Sequence, residues 1–311
     1  MMEVNLQTRL QEIVGNENVV INKPLKQHTY TKLGGNADYF VTPTAYEQVS
    51  DVIKLANQQD IPLMLLGNGS NLIIKDGGIR GIVMYLGKLD QIIVQNESII
   101  AQSGALIADV SKQALTSHLT GLEFACGIPG SVGGALFMNA GAYGGEIKDV
   151  LKQATVVDET GEIRTVTAEE LELAYRTSVL QTNGWIALDA EFTLTKGKYE
   201  EIKAQVDVLT FKRESKQPLE YPTCGSVFKR PQGNFAGKLI QDSDLQGEQI
   251  GGAEVSLKHA GFIINKDEAT AADYIALIEH VQRVVKKRFN IELEREVRII
   301  GENAENSAVK N

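Results

Sequence analysis

Two glycine-rich stretches hold the residues with the clearest chemical meaning. LGNGSN, residues 66–71, follows a buried strand predicted over 61–66. Glycines at such a place let successive backbone N–H groups converge on an anion such as a pyrophosphate. The dinucleotide fingerprint G-x-G-x-x-G is not met, because Leu72 stands where the third glycine belongs. No G-x-x-x-x-G-K-[ST] phosphate loop exists either, since Gly237-Lys238 is followed by Leu239. Taken alone, the loop also reads as a hairpin or bulge turn. The second stretch, GLEFACGIPGSVGGALFMNAGAYGGE at 121–146, carries no charge between Glu123 and Glu146. Each glycine inside a helix or strand costs about 0.5–1 kcal/mol against alanine, so so many of them imply something close to the backbone. The two stretches together suit a large planar cofactor with a diphosphate, whose rings need apolar contact and whose phosphates need N–H donors. Packing of tight turns explains part of the second stretch equally well.

Three polar side chains stand near loop signals. Arg176, in AYRTS, carries a permanent charge and can grip a carboxylate with two hydrogen bonds. At the end of a short predicted helix it would also merely complement the helix dipole. Ser226, in CGSVF, is a loop serine beside glycine, with no G-x-S-x-G elbow and no nearby histidine. Glu296 shares one face of a predicted strand over 291–299 with Glu292, Glu294 and Arg298, which alone reads as a solvated face. Arg213, Lys216, Lys229 and Arg230 would serve an anionic ligand or ordinary solvation.

The elements that must position these residues are legible from periodicity. A strand is expected at 39–41, then a helix with Val49, Val52, Ile53 and Ala56 inward, opened by the capping-box spacing of Thr44 and Glu47. Leu72, Ile73 and Ile74 lead out of the first glycine loop into a β-rich run through GIVMYL and IIVQNESIIAQSG. A helix from about 106 to 115 would turn Leu106, Val110 and Ala114 inward. ATVVDETGEIRTV reads as a hairpin turning at Glu159, Thr160 and Gly161. Thr167 and Glu170 suggest a second capping box, opening a helix that ends near Tyr175. Alternation returns at 185–194. Near 197 the texture changes: a helix from 199 to about 213 places Ile202, Val206 and Leu209 inward. A strong helix follows, with Tyr274, Ile278, Val281 and Val285 in its stripe and Thr270 with Asp273 as its cap. The last strand is NIELEREVRIIG. Two domains are expected, 1–197 and 198–302, followed by a polar tail at 303–311 without fixed structure.

GNGSNLII, CGIPGSVGGALFMNAGAYG, YRTS, CGSVFKRP and EREVRIIG, in this order, resemble the UDP-N-acetylenolpyruvylglucosamine reductases from about Thr31 to Gly301. The resemblance implies an α+β fold: a FAD-binding domain of the vanillyl-alcohol-oxidase (PCMH) type, built of two α+β subdomains split near 75–100, plus a smaller C-terminal α/β substrate domain. It implies non-covalent FAD, although Cys126 lies in a loop where other members of the wider fold attach flavin. Gly67, Asn68, Gly69, Ser70 and Asn71 would hold the diphosphate. Gly127, Pro129, Gly130, Gly134, Asn139 and Gly141 would wrap the rest of the cofactor. The implied reaction takes electrons from NADPH and reduces the enolpyruvyl group of UDP-N-acetylglucosamine-enolpyruvate for peptidoglycan synthesis. Hydride adds to C3, charge develops at C2 and in the carboxylate, and C2 is then protonated. The family motifs select Arg176 to stabilise that charge and Ser226 to donate the proton, helped by Lys229 or a water. Glu296 would pair with Arg176 or, protonated, hydrogen-bond to the substrate carboxylate. Tyr175 and Lys216 fall on the family's substrate contacts, joined by Arg213, Lys229 and Arg230. His259 reads as a structural histidine, with approach to the nicotinamide as the alternative. Only about fifty residues separate Arg176 from Ser226, and KRP replaces KNP, so the short type of the family is implied, with no inserted tyrosine stretch to cover the substrate.

Composition narrows the rest. The 311 residues carry 31 Lys plus Arg against 40 Asp plus Glu, a net charge of −9, which argues against a nucleic-acid partner. The two cysteines and four histidines match no zinc spacing. The beginning, MMEVNLQTRL, lacks the apolar run of a signal peptide, and no stretch of about 18 apolar residues exists. A cytoplasmic monomer with reduced thiols and no membrane or metal partner is the expectation. Two rivals remain open at this stage: an FAD oxidase of the same wider fold acting on an alcohol, and a catalytically silent flavin- or nucleotide-sugar-binding protein.

Overall fold

Thr270 and Asp273 bond each other's backbone N–H groups, at 3.1 and 2.9 Å, and open the longest helix, Ala271–Phe289. Tyr274, Leu277, Ile278, Val281 and Val285 fall on one side of it and are buried. Lys286, Lys287 and Arg288 sit in its last turn, where the dipole favours cations, and Asn290 ends it in the left-handed conformation. The expected cap and the expected stripe are both met. The structure, a computed structural model, describes residues 5–304. Of the expected polar tail, 305–311 lie outside the described residues.

The chain forms two compact units. The first holds residues up to 21, 38–68 and 81–212; the second holds 22–37, 69–80 and the chain from 213 onward. Contacts thus divide the chain after 212, inside the helix Tyr199–Lys216, whereas composition changes near 197.

A four-stranded sheet runs in the order Val19–Pro24, Asn36–Val41, Ile79–Tyr85, Leu63–Leu66. Leu63–Leu66 pairs parallel with Ile82 through Tyr85. The helices Leu6–Val14 and Tyr46–Gln58 bury Leu10, Val14, Val49, Val52, Ile53 and Ala56 against Ile82, Met84 and Leu188. An antiparallel five-stranded sheet follows the order Ile163–Thr167, Leu151–Val157, Ile186–Thr193, Ser98–Gln102, Ile92–Gln95. Its core includes the helices Ile107–Thr116 and Val132–Phe137. In the second unit, the sheet order is Thr223–Ser226, Phe262–Asn265, Ala253–Val255, Gln249–Ile250, all antiparallel. The helices Ala236–Asp242 and Ala271–Phe289 bury its apolar side. Leu72–Ile74 pairs parallel with Arg298–Ile300, and Leu33 and Ile73 join the same core. The α+β class expected from sequence is therefore the observed one. No helix among the described residues is long and apolar enough to cross a membrane, and no group of His, Cys, Asp or Glu among them is arranged to hold a metal ion.

Several local expectations are corrected. The first strand of the glycine loop is shorter, Leu63–Leu66, and only Leu66 is buried. Thr44 is not held by Glu47; its N–H and hydroxyl both donate to Gln48, at 2.7 and 3.1 Å. Leu106 is the exposed residue before its helix, and Ile107 takes the inward position with Val110 and Ala114. Thr167 and Glu170 do exchange bonds, at 2.7 and 3.2 Å, but turns follow instead of a helix, because Glu172 adopts a left-handed φ of 46°. The last strand covers only Arg298–Ile300; Leu293 and Val297 are buried without a ladder.

The long helix yields a stability test. Leu277→Ala, which removes a fully buried side chain, should lower stability by about 2–5 kcal/mol in urea unfolding followed by circular dichroism. Loss of the cap in Thr270→Ala should cost less, about 0.5–2 kcal/mol. A Leu277→Ala protein unfolding at the wild-type urea concentration would contradict the packing described.

Candidate active site

In the first unit the two glycine stretches meet. The Asn68 side-chain amide donates to the Pro129 carbonyl at 2.5 Å. A Cβ added to Gly67 would find only the Ser131 hydroxyl, at 3.2 Å, and one added to Gly134 would find that same oxygen at 3.5 Å. Ser131 is buried and caps the helix Val132–Phe137 by accepting from the Gly134 N–H at 3.3 Å. In the direction a side chain would take, Gly67 and Gly134 thus each face the Ser131 hydroxyl and no other side chain within 4 Å. Other glycines have a different reason. A Cβ would lie 2.8 Å from the Ser103 hydroxyl at Gly133, 2.7 Å from the Gly145 carbonyl at Gly141, and 2.7 Å from the Phe124 ring at Gly145. The one acid at the start of the stretch, Glu123, is buried and accepts from Thr120 Oγ1 at 2.5 Å and the Gly121 N–H at 2.8 Å. An uncharged cradle of bare main chain with a hydroxyl and an amide beside it fits a flavin nucleotide.

Asn139 does not offer its side chain to that cradle. Its amide donates to Glu146 at 2.7 Å and to the Ala174 carbonyl at 3.2 Å, and its oxygen accepts from the Lys148 N–H at 3.0 Å. The Asn139 side chain thus links the glycine stretch to the segment holding Arg176. Ala174 and Thr177 exchange two backbone bonds of 3.1 Å and close a turn with Tyr175 and Arg176 at its tip. Arg176 has a φ of 58°, at the turn position that ordinarily takes glycine or asparagine. Its guanidinium lies 5.5 Å from the centre of the Tyr175 ring, and Tyr175 is 58% exposed. Ser178, the serine of YRTS, is buried and donates to the Phe137 carbonyl at 2.9 Å. Sequence reasoning missed this anchor; the spacing within YRTS was its only signal.

In the second unit the segments of Ser226 and Glu296 are bonded through Val227. The Val227 carbonyl accepts the N–H of Glu296 at 2.8 Å and of Val297 at 3.3 Å. The Glu296 carbonyl accepts from the Asn71 amide at 3.3 Å, and the Asn71 carbonyl accepts from the Arg298 N–H at 3.2 Å. Gly225, at φ 78°, sits where the strand register shifts, and Ser226 emerges exposed. Cys224 is fully buried, and burial raises its thiol pKa to about 11; the Glu296 charge adds to the rise and the Tyr274 hydroxyl opposes it. Gly69, also in this unit, lacks a side chain because a Cβ would sit 2.0 Å from the His28 carbonyl. Its own carbonyl accepts from the Tyr30 N–H at 3.0 Å. Among the expected cations, Lys229 is paired with Glu294 at 2.5 Å, and Arg230 stacks 4.0 Å over Phe235. Arg213 and Lys216 stand in the last turn of the helix Tyr199–Lys216. His259 accepts from the Gly261 N–H at 3.1 Å and packs edge-on against Phe262, which pairs with Ser226.

Residues 37–167 match the family model "FAD binding domain", and residues 217–300 match "UDP-N-acetylenolpyruvoylglucosamine reductase, C-terminal domain". A UDP-N-acetylenolpyruvoylglucosamine reductase of Oceanobacillus iheyensis is 63% identical over 299 residues, 96% of this chain and 97% of that one. The same-named protein of Staphylococcus aureus strain COL is 58% identical over 307 residues, 99% of this chain and 100% of its own. The chain belongs to the UDP-N-acetylenolpyruvoylglucosamine reductase family. That makes it an FAD-dependent oxidoreductase. The crystal structure of the Thermus caldophilus reductase aligns with a TM-score of 0.78 at 31% identity, covering 90% of this chain and 97% of that one. Within the reductase frame, Ser226, Lys229, Arg230 and Glu296 lie inside the C-terminal model, and Gly67, Asn68, Pro129 and Ser131 inside the FAD-binding one. Arg176 lies between the two.

The histidines give the site region a pH signature. Burial first, then the Lys216 charge, hold the His259 pKa below its ordinary value near 6.5; His28 is shifted the same way by burial and by Lys23 and Lys32. Above about pH 6.5 both are neutral folded or unfolded. As pH falls, the unfolded chain takes up protons first, so stability declines until the folded pKa values are passed. His259→Asn should therefore flatten the fall in melting temperature between about pH 7 and 5. Equal slopes for the two proteins would contradict this environment for His259.

Proposed function

We propose that the protein reduces the enolpyruvyl group of UDP-N-acetylglucosamine-enolpyruvate to give UDP-N-acetylmuramate in peptidoglycan synthesis, using NADPH. The observation that carries this reading is near-full-length identity of 63% and 58% with reductases of that name, joined to the bare main chain at Gly67 and Gly134. FAD binding would fall to residues 1–197 and substrate binding to 198–302. The protein would act as a cytoplasmic monomer of the short type.

Bound FAD supplies the hydride, taken from NADPH and delivered to C3 of the enolpyruvyl group. Gly67, Asn68, Gly69, Ser70 and Asn71 would face its diphosphate, and Gly127, Pro129, Gly130, Gly134 and Gly141 its remainder. Arg176 would bind the substrate carboxylate, where negative charge accumulates as C3 receives the hydride. A fixed guanidinium aimed at developing charge is worth more there than in water. Ser226 would give its hydroxyl proton to C2. An unperturbed hydroxyl is a poor acid, so its alkoxide needs stabilising neighbours. Lys229 or a water would supply that stabilisation. Glu296, its main chain fixed beside Val227, would hydrogen-bond to the substrate carboxylate while protonated. Tyr175, Arg213, Lys216 and Arg230 would contact the nucleotide sugar.

The two half-reactions separate these roles. In stopped-flow measurements, Ser226→Ala should still allow NADPH to bleach the flavin, while reoxidation by the enolpyruvyl nucleotide falls by about 10²–10⁴-fold. Undiminished turnover would remove Ser226 from its role. Arg176→Ala should slow the same second half-reaction; an effect confined to flavin reduction would contradict the charge-stabilising role. NADPH consumption that ignores the enolpyruvyl nucleotide would sink the substrate assignment.

A further inference from the structure

The side-chain amide of Gln181 donates to two main-chain carbonyls at once, Phe137 at 2.6 Å and Arg176 at 3.1 Å, with the Met138 sulfur at 3.8 Å. An amide has two N–H donors, so each carbonyl takes one. Phe137 ends the helix Val132–Phe137 in the glycine-rich stretch, and Arg176 is the left-handed corner of its turn. Gln181 itself is exposed, in the short helix Val179–Thr182, and no core cluster includes it. An arginine at positive φ relaxes toward the ordinary negative region unless its surroundings fix it. A bond to its own carbonyl opposes that relaxation directly.

We propose that Gln181 is a positioning residue for Arg176, clamping the corner of the turn to the glycine-rich stretch so that the guanidinium is presented in one place. The inference rests on the role given to Arg176 above. Ser178 and Asn139 hold the flanks of the turn, at Ser178 itself and at the Ala174 carbonyl, while Gln181 alone among the three bonds Arg176.

The test uses the full chain with FAD bound, and two variants. Gln181→Ala removes the clamp. Gln181→Glu keeps its size and removes its N–H donors, so it restores packing but not the bonds. Both should bind FAD and be reduced by NADPH as the wild type is. Both should be reoxidised by the enolpyruvyl nucleotide about tenfold more slowly, and the Thr177 amide should exchange faster with solvent deuterium. In an Arg176→Ala background, adding Gln181→Ala should slow reoxidation no further. Wild-type reoxidation in Gln181→Glu, or an undiminished Gln181 effect without the arginine, would overturn the inference and leave Arg176's role standing. If Arg176→Ala alone leaves reoxidation untouched, the reading of Arg176 fails and the inference falls with it.

Discussion

Main chain kept clear for a ligand cannot be held by large side chains packed over it. At Gly67 and Gly134 this constraint governs everything nearby. The support comes from the flanks: the Asn68 amide on the Pro129 carbonyl, the Ser131 cap, and the Gly133 N–H on the Ser103 carbonyl at 3.0 Å. Ser103 in turn donates its hydroxyl to the Ala187 carbonyl at 2.5 Å, on the central strand of the five-stranded sheet. From beneath, Val132, Ala135 and Leu136 are buried in the core. Polar bonds thus fix the edge of the stretch and apolar burial fixes its underside, leaving one surface for the cofactor.

The second unit solves a related problem without glycine. Glu296 lies in a segment that forms no regular strand, yet both its backbone groups are bonded, the N–H to Val227 and the carbonyl to Asn71. Buried backbone groups need partners wherever they lie. Here those partners come from segments some seventy and two hundred residues away in sequence. Residues 69–80 therefore do more than close a glycine loop: Leu72–Ile74 supplies a strand for Arg298–Ile300, and Asn71 fixes the residue two places before it.

Periodicity revealed elements whose burial is decided along their own length. The cap and stripe of Ala271–Phe289, both local, were legible in the sequence. The helix expected to end at Tyr175 was not, because its reciprocal Thr167–Glu170 bonds form while Glu172 turns left-handed after them. A cap signal is a local interaction; continuation of a helix depends on what the following turns can bury. The same distinction separates the glycines. Sequence showed that something approaches the backbone at 127–145, but not whether it is ligand or protein; Gly133, Gly141 and Gly145 are crowded by the chain itself. The links made by Ser178 and Asn139 were not legible because their partners, the carbonyls of Phe137 and Ala174, lie far off in sequence. Family motifs placed Ser226 and Glu296 in one set, and their shared neighbour Val227 gives that grouping a physical form.

The turn at Arg176 joins strain to use. Glycine at that corner would relieve the backbone, since a side chain at positive φ is disfavoured, but would remove the charge. Asparagine would tolerate the angle and still lack a cation. An arginine there costs of order 1–3 kcal/mol, which persists only if the surroundings over-determine the conformation. They do: two bonds close the turn between Ala174 and Thr177, Ser178 anchors its exit, and Asn139 holds its entry. The same Phe137 carbonyl that accepts from Ser178 also accepts from Gln181. The corner is thereby tied to the glycine-rich stretch, and the backbone that carries the guanidinium is held by bonds on both sides.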